Sequence, residues 1–144
     1  MEVIVTGNNE LTLKMAAMPE TLRANLLTGM EKVTTQLQDR VSRKLLGEVL
    51  NRRTGRLYKS IGKEVTVENT LITGRVFTTG VPYAKIHEYG GAVKTRLGRG
   101  AHPPRRPGFA VAIMPERSYM RSSLRNLRAE IIQQLSKSVE VATR

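Results

Sequence analysis

The chain has 144 residues, a net charge of +12 at neutral pH, 40% hydrophobic residues and no cysteine. That is one domain's length, able to bury roughly 68–70% of its unfolded surface and too apolar for a disordered chain. The composition excludes thiolate zinc sites, thiol nucleophiles and disulfides, and no apolar run approaches the ~20 residues that a membrane helix needs.

The opening Met-Glu-Val-Ile-Val lacks the basic-then-apolar layout of a secretion signal, so a soluble intracellular chain is expected. The only aromatics are Tyr58, Phe77, Tyr83, Tyr89, Phe109 and Tyr119. The core must therefore come mainly from Leu, Val, Ile and Met.

In chain order, residues 2–6 alternate as a short strand closed by Gly7-Asn8. Asn9 then offers a cap for a short helix carrying Leu11, Met15 and Met18, which gives an N-terminal unit over 1–18. Pro19 and Glu20 suit the first turn of a long helix over 19–52. Along it Leu22, Leu26, Met30, Val33, Leu37, Val41 and Leu45 recur every three or four residues as one stripe. A helix of about 30 residues would be roughly 45 Å long and would carry apolar surface beyond its own sheet. Leu27, Leu46 and Val49 widen the stripe on one flank. Gly29 and Gly47 are its weak points, where a bend is expected.

Gly55 marks the junction at which the period falls from helical to two, because glycine takes the left-handed conformation that ends a helix. Leu57 and Ile61 resume apolar burial beyond it. Val65 and Val67 alternate with polar neighbours, Asn69-Thr70 supplies a turn, and Leu71 to Thr79 returns as the second strand of a hairpin. Tyr83 to Tyr89 predicts a two-turn helix with Tyr83, Ile86 and Tyr89 inward, stopped by Gly90-Gly91. Residues 90–108 hold five glycines, three prolines, five Lys/Arg and no acid, and are expected to form a flexible basic loop inserted in the 61–114 sheet. Phe109, Val111 and Ile113 alternate as a strand. Ser118 is placed to cap a final amphipathic helix over 116–141, carrying Met120, Leu124, Leu127, Ile131, Leu135 and Val139. The class is α+β: a long N-terminal and a C-terminal helix on a small antiparallel sheet, in a single domain.

Charge is unevenly placed. Between Arg40 and Lys63 eight basic residues face Glu48 alone. Between Ala92 and Arg128 nine face Glu116 alone: Lys94, Arg96, Arg99, Arg105, Arg106, Arg117, Arg121, Arg125 and Arg128. Such a balance points to an acidic partner, either nucleic acid or protein. Catalysis is not expected. His87 and Glu88 are adjacent on a helix and point about 100° apart, which makes a poor acid–base pair. His102 adds no metal spacing, and Gly98-Arg99-Gly100 leads into prolines rather than a helix. Instead, His87 is expected at the helix–sheet boundary and Glu88 beside an arginine. No cofactor or metal is implied. Arg121, Arg125 and Arg128 line one helix face and could meet phosphates, but no aromatic in the basic loop offers a stacking platform.

Three separated stretches together resemble one family, the tail-completion or head–tail joining proteins of tailed bacteriophages (the minor tail protein Z-like group). The first is Thr54-Gly55-Arg56-Leu57-Tyr58-Lys59-Ser60-Ile61, with Thr54, Gly55, Leu57, Ser60 and Ile61 carrying the likeness. The second is Tyr83-Ala84-Lys85-Ile86-His87-Glu88-Tyr89-Gly90, through Tyr83, Ala84, Glu88 and Gly90. The third opens the last helix with Arg117, Tyr119, Met120 and Arg121, although Ser118 stands where the family usually has proline. Asn51-Arg52-Arg53 likewise replaces an alanine-proline-acid approach to the first stretch.

The resemblance implies a structural virion protein, assembled in the host cytoplasm into a homo-oligomeric ring, six copies being the expected number. Such a ring would join the capsid connector and head-closure proteins to the tail tube or tail terminator. Lys94, Arg96, Arg99, Arg105 and Arg106 become candidate contacts for assembly or for the DNA channel, with residues 91–108 ordered only on assembly. The alternative expectation is a basic, sequence-nonspecific nucleic-acid-binding protein. Neither reading involves a membrane.

Overall fold

In the computed structural model, the described residues are 2–6, 10–14, 19–48, 55–68, 71–96 and 109–142. They form an α+β architecture of two long helices and two antiparallel sheets. Strands β1 (Glu2–Thr6), β2 (Glu10–Lys14), β3 (Ile61–Glu68) and β4 (Leu71–Thr78) make a four-stranded sheet in the order β1-β2-β4-β3. Helix α1 (Glu20–Arg43) lies between this sheet and helix α4 (Met120–Ala142), packing on β3 and β4 with one side and on α4 with the other.

Residues 10–14 correct the expected short helix. Glu-Leu-Thr-Leu-Lys alternates apolar and polar side chains, and as β2 it pairs with both β1 and β4, with Leu11 and Leu13 opposite Gly74 and Ile72. Five residues with period two gain two ladders of hydrogen bonds there. An isolated helix of that length would be unstable in water. Met15 and Met18 lie outside the described residues.

The stripe of α1 is the centre of the core. Leu26, Met30, Val33, Leu37 and Val41 are fully buried, and Leu45 continues the row. Each contributes about 1.5–3 kcal/mol of burial free energy. Ile72 and Val76 face them from β4, and Leu124, Ile131 and Leu135 from α4. The broad apolar flank of α1 is therefore used inside the subunit, because a helix between two layers must be apolar on two sides. Leu46, at 48% exposure, is the exception. Gly29 is not a bend: Ser138 of α4 sits where a Cβ would stand, its Oγ 2.6 Å away, so glycine permits the close crossing of the helices. The helix widens into a π-type turn at Lys44–Glu48 and breaks at Gly47, where φ is 147°. Residues 49–54, including the expected end of the helix and Thr54, lie outside the described set.

Helix α2 (Arg56–Lys59) is a single turn entered through Gly55, whose φ of 70° is left-handed as expected, though it starts a helix rather than ending one. The β3–β4 hairpin keeps its predicted place, with the Asn69-Thr70 turn outside the described residues. Helix α3 (Ala84–Tyr89) follows β4. The expected loop over 90–108 is corrected in part: β5 (Gly91–Arg96) pairs antiparallel with β6 (Phe109–Met114) as a two-stranded ribbon. Its glycine- and arginine-rich composition conceals a strand because the pairing partner lies across the intervening residues. Residues 97–108, with His102, Arg99, Arg105 and Arg106, are outside the described set. Among the described residues, no helix is long and apolar enough to cross a membrane.

Candidate functional site

The α3 helix is short, yet it holds the start of α4. Its four-residue spacing puts Ala84 and Glu88 on one face, and both are buried, while Tyr83 and Tyr89 are 37% and 48% exposed. This corrects the expected inward placement of Tyr83 and Tyr89, whereas Ile86 is half-buried. An aromatic ring can remain at a surface at little cost, whereas a buried carboxylate is held in place by its donors.

Those donors are the first amides of α4. One oxygen of Glu88, Oε2, accepts hydrogen bonds from the backbone N–H of Tyr119 at 2.8 Å and of Met120 at 2.9 Å. The other, Oε1, accepts from the N–H of Arg121 at 2.9 Å, the hydroxyl of Ser118 at 2.9 Å and the guanidinium Nε of Arg121 at 3.3 Å. A helix start leaves amide donors without partners and carries partial positive charge, so a carboxylate there is stabilised twice. Glu88 thus caps a helix from about thirty residues upstream in sequence.

Further bonds close the junction. The carbonyl of His87 accepts the N–H of Arg117 at 2.9 Å. Arg121 reaches the Glu88 carbonyl at 3.3 Å and Glu116 Oε1 at 2.6 Å, with its guanidinium 4.4 Å above the centre of the Tyr89 ring. Ser118 supplies a hydroxyl that donates to Glu88 and accepts from the N–H of Ser122 at 3.3 Å. Beneath it the buried Lys44 donates from Nζ to Ser122 Oγ at 2.6 Å. Desolvation lowers the pKa of Lys44, with the Arg40 charge acting in the same direction. Tyr119 is 1% exposed, and its phenol pKa is pushed up to about 12, by burial first and then by the Glu88 charge.

The first stretch of the resemblance adjoins this unit. The Ser60 carbonyl accepts the N–H of Thr79 at 3.1 Å, and Arg56 reaches the Gly80 carbonyl at 3.2 Å. It therefore grips the segment leading into α3, while Leu57 and Ile61 pack against the core. The structure brings together Ala84, Glu88, Gly90, Arg117, Tyr119, Met120 and Arg121 around one junction, while Gly55, Leu57, Ser60 and Ile61 stay on the neighbouring α2–β3 turn. Tyr83 stands at the rim of the junction, edge-on to His87 with ring centres 5.7 Å apart.

The chemistry available here is structural. Both oxygens of Glu88 are occupied by donors, so the carboxylate has no lone pair directed at a substrate. Glu88 does pair with an arginine, as expected, and that arginine is Arg121. The Arg121–Arg125–Arg128 row is therefore not presented whole: Arg121 is held by Glu88, Glu116 and Tyr89, leaving Arg125 and Arg128 exposed. Sequence reasoning missed Lys44. It lies three residues after Val41, on the buried face of the helix, and that spacing was the available signal.

His87 carries a pH dependence. Its Nδ1 is buried with no hydrogen-bond partner among the described residues, and its pKa is lowered from 6.5 by burial and then by Arg117. The folded state thus disfavours the imidazolium, and the unfolded state takes up the proton first as pH falls below 6.5. Stability from this residue is complete above that pH and is lost progressively below it, until the depressed native value is passed. Thermal melts from pH 8 to pH 5 should show the wild type losing more than His87→Phe. Parallel profiles would remove the residue from this role.

The β5–β6 ribbon leaves the same junction, since Gly90 packs on Glu116 and Met114 at its base. In register, Ala92 and Lys94 stand opposite Ile113 and Val111, so these four residues share one face. Val111 is 65% exposed, Ile113 83%, and Lys94 is exposed beside them. The chain matches no known protein-family model, no curated protein and no solved structure.

Proposed function

We propose that this chain is a structural subunit of a tailed-bacteriophage particle. Copies of it form a ring at the head–tail junction that joins the capsid connector to the tail tube, acting through assembly without turnover. One observation carries the reading. The second and third stretches that resemble the joining proteins lie far apart in sequence, yet close on one another in a junction where the Glu88 carboxylate and the first amides of α4 satisfy each other, and the first stretch bonds to the segment that leads into it. From this base the ribbon presents the exposed Val111 and Ile113, with Lys94 beside them, to solvent. Such a face suits protein contact, because phosphate binding has no use for exposed valine and isoleucine.

The test is genetic and direct. Deleting the reading frame from a phage that carries it should leave DNA-filled heads and finished tails unjoined in electron micrographs, and the chain should be present in intact particles by mass spectrometry. Infectious particles that form normally without it would overturn the reading.

A further inference from the structure

Strand β6 is out of character with its place in the fold. Phe109 to Met114, Phe-Ala-Val-Ala-Ile-Met, is the only one of the six described strands without a polar side chain. A continuous apolar run is the mark of a strand buried within a sheet, whereas edge strands carry charge. Here the inner strands β2 and β4 contain Glu10, Lys14 and Arg75, while β6 stands at an edge, hydrogen-bonded among the described residues to β5 alone. Val111 and Ile113 are the two most exposed large apolar side chains among those residues. β5 and β6 also pack chiefly on each other, and a ribbon of two strands is marginal in water. The ribbon is short of a strand.

Charge selects which strand. Four described strands have an open edge, and three of them protect it in the ordinary way. β1 carries Glu2, β3 carries Lys63, Glu64 and Glu68, and β5 carries Lys94 and Arg96. Any of those edges would set charged residues beside an apolar strand. Another β6 would set only apolar ones.

We propose that β6 pairs antiparallel with β6 of a second copy of this chain, making one four-stranded sheet in the order β5-β6-β6-β5 across a two-fold axis. With the axis at Ala112, Val111 of each copy stands opposite Ile113 of the other, a cross-strand pair of branched side chains. An axis half a step away, between Val111 and Ala112, would set each of them opposite an alanine. Lys94 lies on the outer strand of each copy, opposite Val111. It is therefore three strand spacings or more from its counterpart, at least about 14 Å, which exceeds the ~8 Å screening length at physiological salt. A six-residue edge is small beside the ~1,600 Å² of a standard interface, so the dimer is expected to be weak, roughly micromolar to millimolar. The contact closes on itself and builds no ring. It concerns the free chain and stands whether or not that chain joins heads to tails.

Sedimentation equilibrium of the full chain at low and high salt tests the pairing. A monomer–dimer equilibrium is expected, and the dimer should strengthen as salt rises, because two chains of net charge +12 repel while the contact itself is uncharged. Val111→Lys, at an exposed position, should keep the circular-dichroism spectrum and weaken the dimer roughly tenfold or more. Adding Ile113→Glu to that variant should restore the dimer, since each new lysine then meets a new glutamate of the other copy. The chain has no cysteine, so Ala112→Cys places a single thiol on the axis, where mild oxidation should link two chains. Glu68→Cys, on the exposed β3 edge, is the control and should stay unlinked.

A chain still monomeric at about 1 mM would overturn the proposal. So would a dimer that salt dissolves, a Val111→Lys chain that dimerises like wild type, or Ala112→Cys linking no faster than Glu68→Cys. Assemblies larger than a dimer that Val111→Lys abolishes would mean that β6 meets a different edge, and would overturn it too. Rings that persist in Val111→Lys would be built on other surfaces and speak for the junction role, leaving the Ala112→Cys link to decide this pairing. If the chain is absent from phage particles and the link still forms, the junction role fails and the pairing stands.

Discussion

Glu88→Ala is expected to lower folding stability by roughly 3–5 kcal/mol, because the helix loses its cap and buried backbone amides lose their acceptor. The carboxylate satisfies three backbone amides, one hydroxyl and one guanidinium at once. Without it the Tyr119 amide is left in a site where the neighbouring ring is 1% exposed, and water enters poorly. For a chain of this length the melting temperature should fall by about 10–15 °C. Glu88→Gln keeps one acceptor oxygen and should cost about half as much. Glu64→Ala, a solvent-exposed control, should fall within about 0.5 kcal/mol of wild type. Urea titrations of the three variants check the order. Should Glu88→Ala behave like Glu64→Ala, the carboxylate would not be holding α4 to α3.

The fold was legible wherever a period repeated often enough to decide. Seven apolar positions from Leu22 to Leu45 cannot be read as a strand, and the alternation through Val65 and Val67, then from Leu71, cannot be read as a helix. Glu10–Lys14 was too short for that. Its Asn-Glu-Leu start resembles a helix cap, and the ladder with β4 that makes it a strand is made by residues about sixty positions away. The strand Gly91–Arg96 was hidden in the same manner by composition, since nothing local announces that Lys94 will face Val111.

The junction was legible as a set of residues but not as an arrangement. The second and third stretches could be quoted in order from the sequence. That one of them caps the other depends on the turn at Gly90 and on the chain's return through β6, and neither leaves a periodic trace. The tyrosines of α3 were misplaced because hydrophobicity is a poor guide in a helix of six residues. There the buried positions are Ala84 and Glu88, chosen by what α4 presents to them.

Gly90→Ala is expected to cost about 3–5 kcal/mol from two sources that add. Gly90 has φ 69° and ψ −172°, a region essentially reserved for glycine, and an L-residue held there is strained by about 1–3 kcal/mol. A Cβ at this position would also stand 2.8 Å from the Glu116 amide nitrogen and 3.0 Å from the Met114 carbonyl oxygen. Both are backbone, so no side chain can swing aside; the strand that enters α4 must move as a whole. That movement would stretch the Arg117–His87 backbone bond and draw the first turn of α4 off Glu88. The two losses are therefore one event seen twice. In a double-mutant cycle, Glu88→Ala and Gly90→Ala should cost clearly less together than their sum, by about 1 kcal/mol or more. Hydrogen exchange should show the amides of Tyr119, Met120 and Arg121 losing protection in either single variant, with the middle of α1 unchanged. Strict additivity, or protection of the α4 start retained in Gly90→Ala, would mean that the glycine is kept for a reason unconnected with the cap.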